Sequence, residues 1–175
     1  PYWVRLAPEP DTNEILFGAT DSANDLESNV WSGSAWGTNQ QLTDDTGENT
    51  RRRFDIAFEP QTSTALVVYR NKNKNYPVYR TWTGSAWSAQ QNGPNIGRKP
   101  EYVTIAPGPT AGELFVSIAD NADDLQLMRW LSSSLSLSTE LDTTLTGTGQ
   151  EPVALAGFPA SASTPQIVSW SEVQP

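Results

Sequence analysis

A repeat of about 50 residues constrains this chain more than any other feature of its sequence. An alanine followed three residues later by a proline recurs four times, at 7–10, 57–60, 106–109 and 156–159. Asx residues recur with the same spacing, at Asp21, Asn71 and Asp120 and again at Asp25, Asn75 and Asp124. A nearly verbatim Trp-Ser/Thr-Gly-Ser-Ala-Trp segment begins at Trp31 and at Trp82. Self-similarity at a fixed period of this length predicts a repeat architecture.

Each complete repeat contains four short apolar runs separated by turn residues. The runs are rich in β-branched and aromatic residues and bounded by Pro, Gly, Asn and Asp, which favours strands over helices. Gly33 and Gly84 precede a serine between the third and fourth runs, as in a tight hairpin with glycine at its first central position. The predicted strands lie at about 2–8, 14–20, 26–32, 34–42, 53–59, 64–70, 76–83, 85–91, 101–107, 113–119, 125–131, 134–141, 152–158 and 166–171.

Four antiparallel strands repeated at this period are typical of β-propeller blades. The predicted fold class is therefore all-β, a β-propeller of four-stranded antiparallel blades with the first strand innermost and almost no helix. One segment, 1–175, would hold about three and a half blades, at about 1–50, 51–99 and 100–149, with a half blade at 150–175. A β-sandwich is the alternative, but sandwiches do not repeat their loops at a regular period.

Composition excludes several classes of function. The chain has no Cys and no His, which removes disulfides, thiolate nucleophiles, the Ser-His-Asp triad and zinc sites built from these residues. A formal net charge of −9 makes nucleic acid a poor partner. No apolar run is long enough to insert into a membrane. Oxygen-ligated calcium and carboxylate-pair chemistry remain.

The second repeat carries the resemblance to a known family. It reads Ala-x-x-Pro at 57–60, Ala-Leu-Val-Val-Tyr at 65–69 and Tyr-Arg-x-Trp-x-Gly-x-x-Trp-Ser at 79–88. This pattern resembles the blades of bacterial and fungal β-propeller repeat proteins, which include lectins, sialidase-like enzymes and non-catalytic surface domains. The sialidase-type box, Ser-x-Asp-x-Gly-x-Thr-x-Trp, is absent, and the nearest segment, 43–47, lacks the tryptophan. The missing box argues against the sialidase branch, and no motif marks an Asp or Glu as catalytic, so the chain is assigned to the non-catalytic branch, is not expected to be an enzyme, and receives no catalytic residue.

Aromatic residues are the main candidates for ligand binding, because aromatic faces stack on sugars. Trp36 and Trp87 align with Leu135, which favours packing at that position. Tryptophan is kept at the third-strand position of all three complete repeats, where a structural anchor competes with a sugar platform. The candidate ligand-binding residues are Trp31, Trp82, Trp130, Tyr79 and Arg80.

Two charged segments offer further hypotheses. Asp120, Asp123 and Asp124 present oxygens suited to calcium. The aligned hairpin at 71–75 has no carboxylate, so the shared pattern favours turn formation by Asx side chains, with calcium as the alternative. The basic run 51–53 is predicted to be a solvated blade entry whose side chains alternate between faces, with anion binding as the alternative.

Three functions remain open at this stage. The first is a non-catalytic extracellular surface, adhesion or assembly module, and the second is a carbohydrate-binding lectin that uses rim or inter-blade tryptophans. The third is a hydrolase acting on glycans. The expected partners are other protein subunits or upstream blades of the same chain, and glycans. The polar, lysine-poor, tryptophan-rich composition suggests an extracellular or cell-surface location.

Overall fold

The structure, a computed structural model, describes residues 1–131, 133–145, 151–156 and 168–170. These residues form strands, turns and loops without any helix, as the sequence predicts. Within these ranges, accordingly, no helix is long and apolar enough to span a bilayer. Predicted strand residues 157, 158, 166, 167 and 171 lie outside the described residues, as does 146–150 at the end of the third repeat.

The described strands pair in four antiparallel sheets, one in each repeat, and follow chain order within each sheet. The first sheet holds β1 (Val4–Pro8), β2 (Ile15–Thr20), β3 (Leu26–Trp31) and β4 (Gln40–Thr43). The second holds β5 (Phe54–Phe58), β6 (Ala65–Tyr69), β7 (Val78–Trp82) and β8 (Gln91–Asn92). The third holds β9 (Pro100–Pro107), β10 (Glu113–Asp120), β11 (Leu125–Leu131) and β12 (Ser134–Asp142). The fourth pairs β13 (Ala154–Ala156) with β14 (Val168–Trp170).

The outermost strands of the first two sheets are shorter than predicted. Instead of 34–42 and 85–91, the chain makes single bridges between Trp31 and Trp36 and between Trp82 and Trp87, and only later pairs as β4 and β8. Residues 37–39, before β4 begins, are polar or glycine and exposed, so no buried side chain holds them in a ladder. The third sheet differs because β12 contributes Leu135 to the core and runs for nine residues.

The first strands of successive sheets contact one another, β1 with β5, β5 with β9 and β9 with β13, as predicted for innermost strands. Apolar side chains fill the space between sheets in three clusters. Gly18 marks the closest approach, since a Cβ there would lie 2.5 Å from the Ile56 side chain. Gly33 and Gly84 adopt φ of +91° and +83°, which confirms the predicted glycine-first hairpins.

Arg52 and Arg53 of the basic run 51–53 are buried and Arg51 is half-buried, so the prediction of a solvated entry is wrong. Arg53 donates to Glu101 at 2.9 and 2.6 Å, and Arg70 donates to the other carboxylate oxygen at 2.5 Å. Arg51 lies 3.0 Å from the same carboxylate. Residues 51–53 precede β5 and are not in a strand, so their side chains do not alternate between two faces as predicted. Three guanidinium groups therefore converge on Glu101, which joins the second and third sheets.

Arg52 points elsewhere, to a second buried ion cluster around Asp55. Arg5 of the first sheet donates to both Asp55 oxygens at 2.6 and 3.1 Å. The backbone N–H of Ile105, in the third sheet, donates to Asp55 at 2.8 Å. Arg52 lies 3.4 Å from Asp55, donates to the Val103 carbonyl at 2.9 Å, and pairs with Glu151. One fully buried carboxylate thus ties three innermost strands together.

Candidate functional sites between the sheets

The three candidate tryptophans occupy equivalent positions. Trp31 pairs with Ile15, Trp82 with Ala65 and Trp130 with Leu114, each at the inner start of the second strand. Trp130 pairs also with Leu135, as Trp82 does with Trp87, which confirms the alignment made from sequence. In the second and third sheets this register aims the indole at the sheet that precedes it in the chain.

The first cleft lies between the first and second sheets and has a volume of about 380 Å³. Trp82 is not part of its lining but bonds the lining residue Glu14, since Trp82 Nε1 donates to Glu14 Oε1 at 2.7 Å between the two sheets. Carboxylates come from the β1–β2 loop, and hydroxyl groups come from both sides. The lining residues are Glu9, Thr12, Glu14, Ser63, Thr83, Gly84 and Ser85.

The second cleft is the equivalent space between the second and third sheets, with a volume of about 310 Å³. Trp130 Nε1 donates to Glu59 Oε1 at 2.6 Å, again from the later sheet to the earlier one. The Tyr79 ring meets Trp130 edge-on, with centroids 5.4 Å apart, and burial raises the pKa of the Tyr79 phenol. The wall is completed by Thr64, Thr81, Thr83, Ser88, Gln91 and Ser133.

The carboxylates of the two clefts differ in how they are used. Glu9 and Glu59 are equivalent, since each stands inside the recurring Ala-x-Glu-Pro segment. Both Glu59 oxygens are occupied, one by Trp130 and the other by the Thr62 hydroxyl at 2.8 Å. In the first cleft Trp82 bonds Glu14 instead, and Glu9 Oε2 is buried without a hydrogen-bond partner among the described residues.

The third sheet lacks a glutamate at this position, and Glu113 occupies the space instead. Gly108 stands where the first two repeats have glutamate, and the Glu113 side chain fills the vacated space, with its Cγ 2.5 Å from where a Gly108 Cβ would be. Glu113 bonds the Thr110 hydroxyl and accepts from Arg129 Nε at 2.6 Å. Burial alone would raise the pKa of Glu113, but these two partners outweigh it and hold the pKa below its usual range.

Glu9, Glu14 and Glu59 were not predicted as site residues from the sequence, although the repeat contains a signal for two of them. Glutamate stands third in the Ala-x-Glu-Pro segment of both early repeats, between the two residues that were used as markers. Recurrence of an acidic residue at a strand end adjacent to a conserved indole position indicates a paired role. Only the packing of sheets brings these acids to the tryptophans, because the partners are 68 and 71 residues apart.

The other predicted residues lie apart from the clefts. Trp31 packs on Trp36 with ring centroids 5.6 Å apart, on the face of the first sheet that no described sheet covers. Arg80 lies on the opposite face of β7 from Tyr79, near Tyr69. Burial of the phenol raises the pKa of Tyr69, and Arg80 lowers that pKa by less. The structure therefore brings together Tyr79 and Trp130 in one cleft and places Trp82 at the other.

The aspartate hairpin of the third sheet has the geometry of an Asx turn. Asp120 Oδ1 accepts from the backbone N–H groups of Ala122 and Asp124 at 2.8 and 3.2 Å, and Asp123 adopts φ of +67°. Asp21 in the first sheet makes the same two bonds to Ala23 and Asp25. The described residues contain no group of three or more acidic side chains suited to a metal ion. Calcium at Asp120, Asp123 and Asp124 stays a prediction from sequence without geometric support.

A third cavity, of about 410 Å³, lies beside the innermost strands. Arg5 and Arg52 line it, together with Thr104, Glu151 and the start of the fourth repeat. Both guanidinium groups already pair with Asp55, and Arg52 pairs with Glu151 as well. The cavity therefore has no excess positive charge to attract an anion.

Comparison with known proteins identifies the fold. No family model and no curated protein sequence matches the chain. A lectin from Aleuria aurantia in complex with alpha-methyl-L-fucoside is similar in structure, with a TM-score of 0.63 and 18% identity over 97% of this chain and 53% of that one. A second structure of that lectin, described as a six-bladed β-propeller with a novel mode of fucose recognition, has a TM-score of 0.59 and 17% identity over 97% and 55%. The chain has a β-propeller fold.

A third similar structure is AofleA from Arthrobotrys oligospora, with a TM-score of 0.62 and 12% identity over 99% of this chain and 51% of that protein. The chain therefore spans about half the length of the propellers it matches. The four sheets described above are blades, and the two clefts are inter-blade clefts. The similar structures from Aleuria are described as lectins.

Proposed function

We propose that this propeller segment is a carbohydrate-binding module whose ligands enter the two inter-blade clefts. The observation that carries the proposal is the indole-to-carboxylate hydrogen bond that crosses both blade interfaces, from Trp82 to Glu14 and from Trp130 to Glu59. In the second cleft it places aromatic rings, a carboxylate and several hydroxyl groups around one open space, and in the first it fixes a carboxylate beside several hydroxyl groups. This reverses the order of the sequence-based hypotheses, in which the lectin was the alternative to a surface or adhesion module.

The chemistry of the clefts suits sugars. A carboxylate accepts hydrogen bonds from two neighbouring hydroxyl groups, and serine and threonine hydroxyls both donate and accept. Concave sites with a few polar groups of fixed orientation are the usual form of small-molecule sites. Similar structures include a lectin bound to alpha-methyl-L-fucoside, which makes that glycoside the first ligand to test.

Sugar binding is expected to change the tryptophan fluorescence of the chain, because Trp82 and Trp130 stand at the two clefts. Titration with a panel of methyl glycosides, followed by a glycan array, measures the effect. Trp82→Phe keeps the ring but removes the Nε1 donor to Glu14, so it is expected to weaken binding at the first cleft by about ten-fold. Trp36→Phe, at an exposed position outside both clefts, is the matched control. If no sugar alters the fluorescence or binds on the array, the proposal is wrong.

A second candidate function, an assembly module, is favoured by the free face of the first blade. Tyr2, Val4 and Leu6 are 61%, 46% and 61% exposed. The residues equivalent to Val4 and Leu6 in the second blade, Phe54 and Ile56, are 0% and 6% exposed because the first blade covers them. The uncovered apolar face would accept another propeller blade, from the same polypeptide or from a second copy.

We expect the isolated segment to self-associate through this face. Exposed apolar surface and uncovered sheets are normally buried by a partner. Sedimentation velocity across a concentration series measures association, and Leu6→Asp is expected to abolish it by placing a charge in the apolar face. Asp11→Asn, on an exposed loop of the same blade, serves as the control. A wild-type segment that stays monomeric throughout the series would contradict the assembly function without bearing on sugar binding.

A further inference from the structure

We infer that the first cleft selects a sugar carrying a protonated amine, an amino sugar, and that Glu9 is the residue that receives its ammonium group. This inference rests on the proposed carbohydrate-binding function and assigns a ligand class to one of its two clefts. The second cleft, by the same reasoning, is left to neutral sugars. Three features support it: an unpaired buried carboxylate oxygen, the negative charge of the cleft wall, and the contrast with the equivalent blade interface.

Glu9 is a buried acid with one carboxylate oxygen that no described residue bonds. The residue is 4% exposed, lines the first cleft, and has an Oε2 atom without a hydrogen-bond partner among the described residues. A buried charged oxygen without a partner costs several times more than an ordinary hydrogen bond is worth. Such atoms are uncommon in folded proteins and call for a ligand, an ion or water.

In the second cleft, by contrast, other residues of the protein bond both carboxylate oxygens of the equivalent acid, Glu59. Glu59 accepts from Trp130 Nε1 and from the Thr62 hydroxyl. In the first blade Thr12 stands in place of Thr62 and accepts from the Glu14 backbone N–H at 3.1 Å, as Thr62 accepts from the Thr64 N–H at 3.2 Å. Trp82 donates to Glu14 and not to Glu9. Neither the indole nor the threonine hydroxyl of the first cleft therefore bonds Glu9 Oε2, which remains available to a ligand.

The wall of the first cleft carries two carboxylates and no basic residue. Glu9 and Glu14 are its charged members, and the other lining residues are hydroxyl-bearing side chains and Gly84. The second cleft has one acid, Glu59, whose two oxygens are already occupied. An ammonium group offers three donors and a positive charge, and a charge-assisted hydrogen bond to carboxylate is about twice as strong as a neutral one.

The experiment compares methyl glucosaminide, its N-acetyl counterpart and alpha-methyl-L-fucoside in fluorescence and calorimetric titrations of the wild-type segment. The free amine is expected to bind at least about ten-fold more tightly than the N-acetyl form. The advantage should vanish as the pH rises past the pKa of the sugar amine, because the neutral amine has lost its charge. Glu9→Gln, which keeps the side-chain volume, should remove the advantage, so that the amine and its N-acetyl form bind with equal affinity.

Asp44→Asn is the matched control, since it removes the same charge from an exposed position outside both clefts. If Asp44→Asn lowers the amine preference as much as Glu9→Gln does, the preference is general attraction to an acidic protein and the inference is wrong. Equal affinity of the wild-type segment for the amine and its N-acetyl form would also overturn the inference. So would calcium binding at Glu9, seen as displacement of the amino sugar by millimolar calcium chloride. Failure of every sugar to bind would instead overturn the proposed function.

Discussion

Glu101→Gln is expected to lower the free energy of unfolding by about 3–5 kcal/mol. The substitution keeps the shape of the side chain but leaves Arg51, Arg53 and Arg70 facing one another without a negative charge. The side chains of Arg53 and Arg70 are only 4% and 9% exposed, so water cannot compensate for the loss. Urea unfolding followed by tryptophan fluorescence measures the change.

Acid should produce the same destabilisation in the wild-type chain. Burial alone would raise the pKa of Glu101, but the hydrogen bonds and charges of Arg53 and Arg70 outweigh it and hold the pKa below its usual range. A carboxyl whose pKa is depressed by folding stabilises the folded state fully above its unfolded pKa. That contribution is lost as the pH falls through the folded pKa. The pH dependence of unfolding should therefore flatten in Glu101→Gln, and an unchanged acid limb would contradict this role.

Asp44→Asn supplies the control for this prediction, because Asp44 is exposed and outside the arginine cluster. A surface charge of this kind contributes little, so its unfolding curve should lie within about 0.5 kcal/mol of the wild type. If the two substitutions had equal effects, the convergence of three arginines on Glu101 would have no energetic importance.

Trp130→Ala is expected to cost about 3–5 kcal/mol of stability, as for other large buried aromatic residues. Trp130 is 2% exposed, meets the Tyr79 ring edge-on, and holds Glu59 through its indole N–H. Truncation would open a cavity between the second and third blades and leave the buried Glu59 with one partner fewer. Thermal and urea unfolding measure the loss.

Two further variants separate the contributions of Trp130. Trp130→Phe keeps most of the ring packing but removes the donor to Glu59, with an expected cost of about 1.5–3 kcal/mol. Trp36→Ala removes a tryptophan that is 52% exposed and touches Trp31 at the rim, and its expected cost is about 1 kcal/mol. Equal destabilisation by Trp130→Ala and Trp36→Ala would show that the repeated third-strand tryptophan is not a packing anchor.

The sequence determined the fold because the repeat is visible along the chain. The recurring Ala-to-Pro and Asx positions set the number and order of strands, and the glycines at 33 and 84 set the hairpins, since local turn chemistry depends on nearby residues. Periodicity also predicted that Trp31, Trp82 and Trp130 would occupy equivalent places, and the strand registers agree. The outer strands were predicted less well, because polar residues such as 37–41 carry no burial signal.

The clefts and the arginine clusters were decided by the tertiary structure alone. Glu14 meets Trp82, and Arg53 meets Glu101, only because adjacent blades pack face to face, and no local pattern links residues 68 or 48 positions apart. Residues at equivalent positions of the repeat can also differ in their contacts. Glu9 and Glu59 share a motif, yet Glu9 Oε2 is unpaired and both Glu59 oxygens are bonded, because the indole of the first interface bonds Glu14, whose equivalent in the second blade is Thr64. Contacts between repeats therefore decide the clefts, whereas the repeat itself specifies the blade.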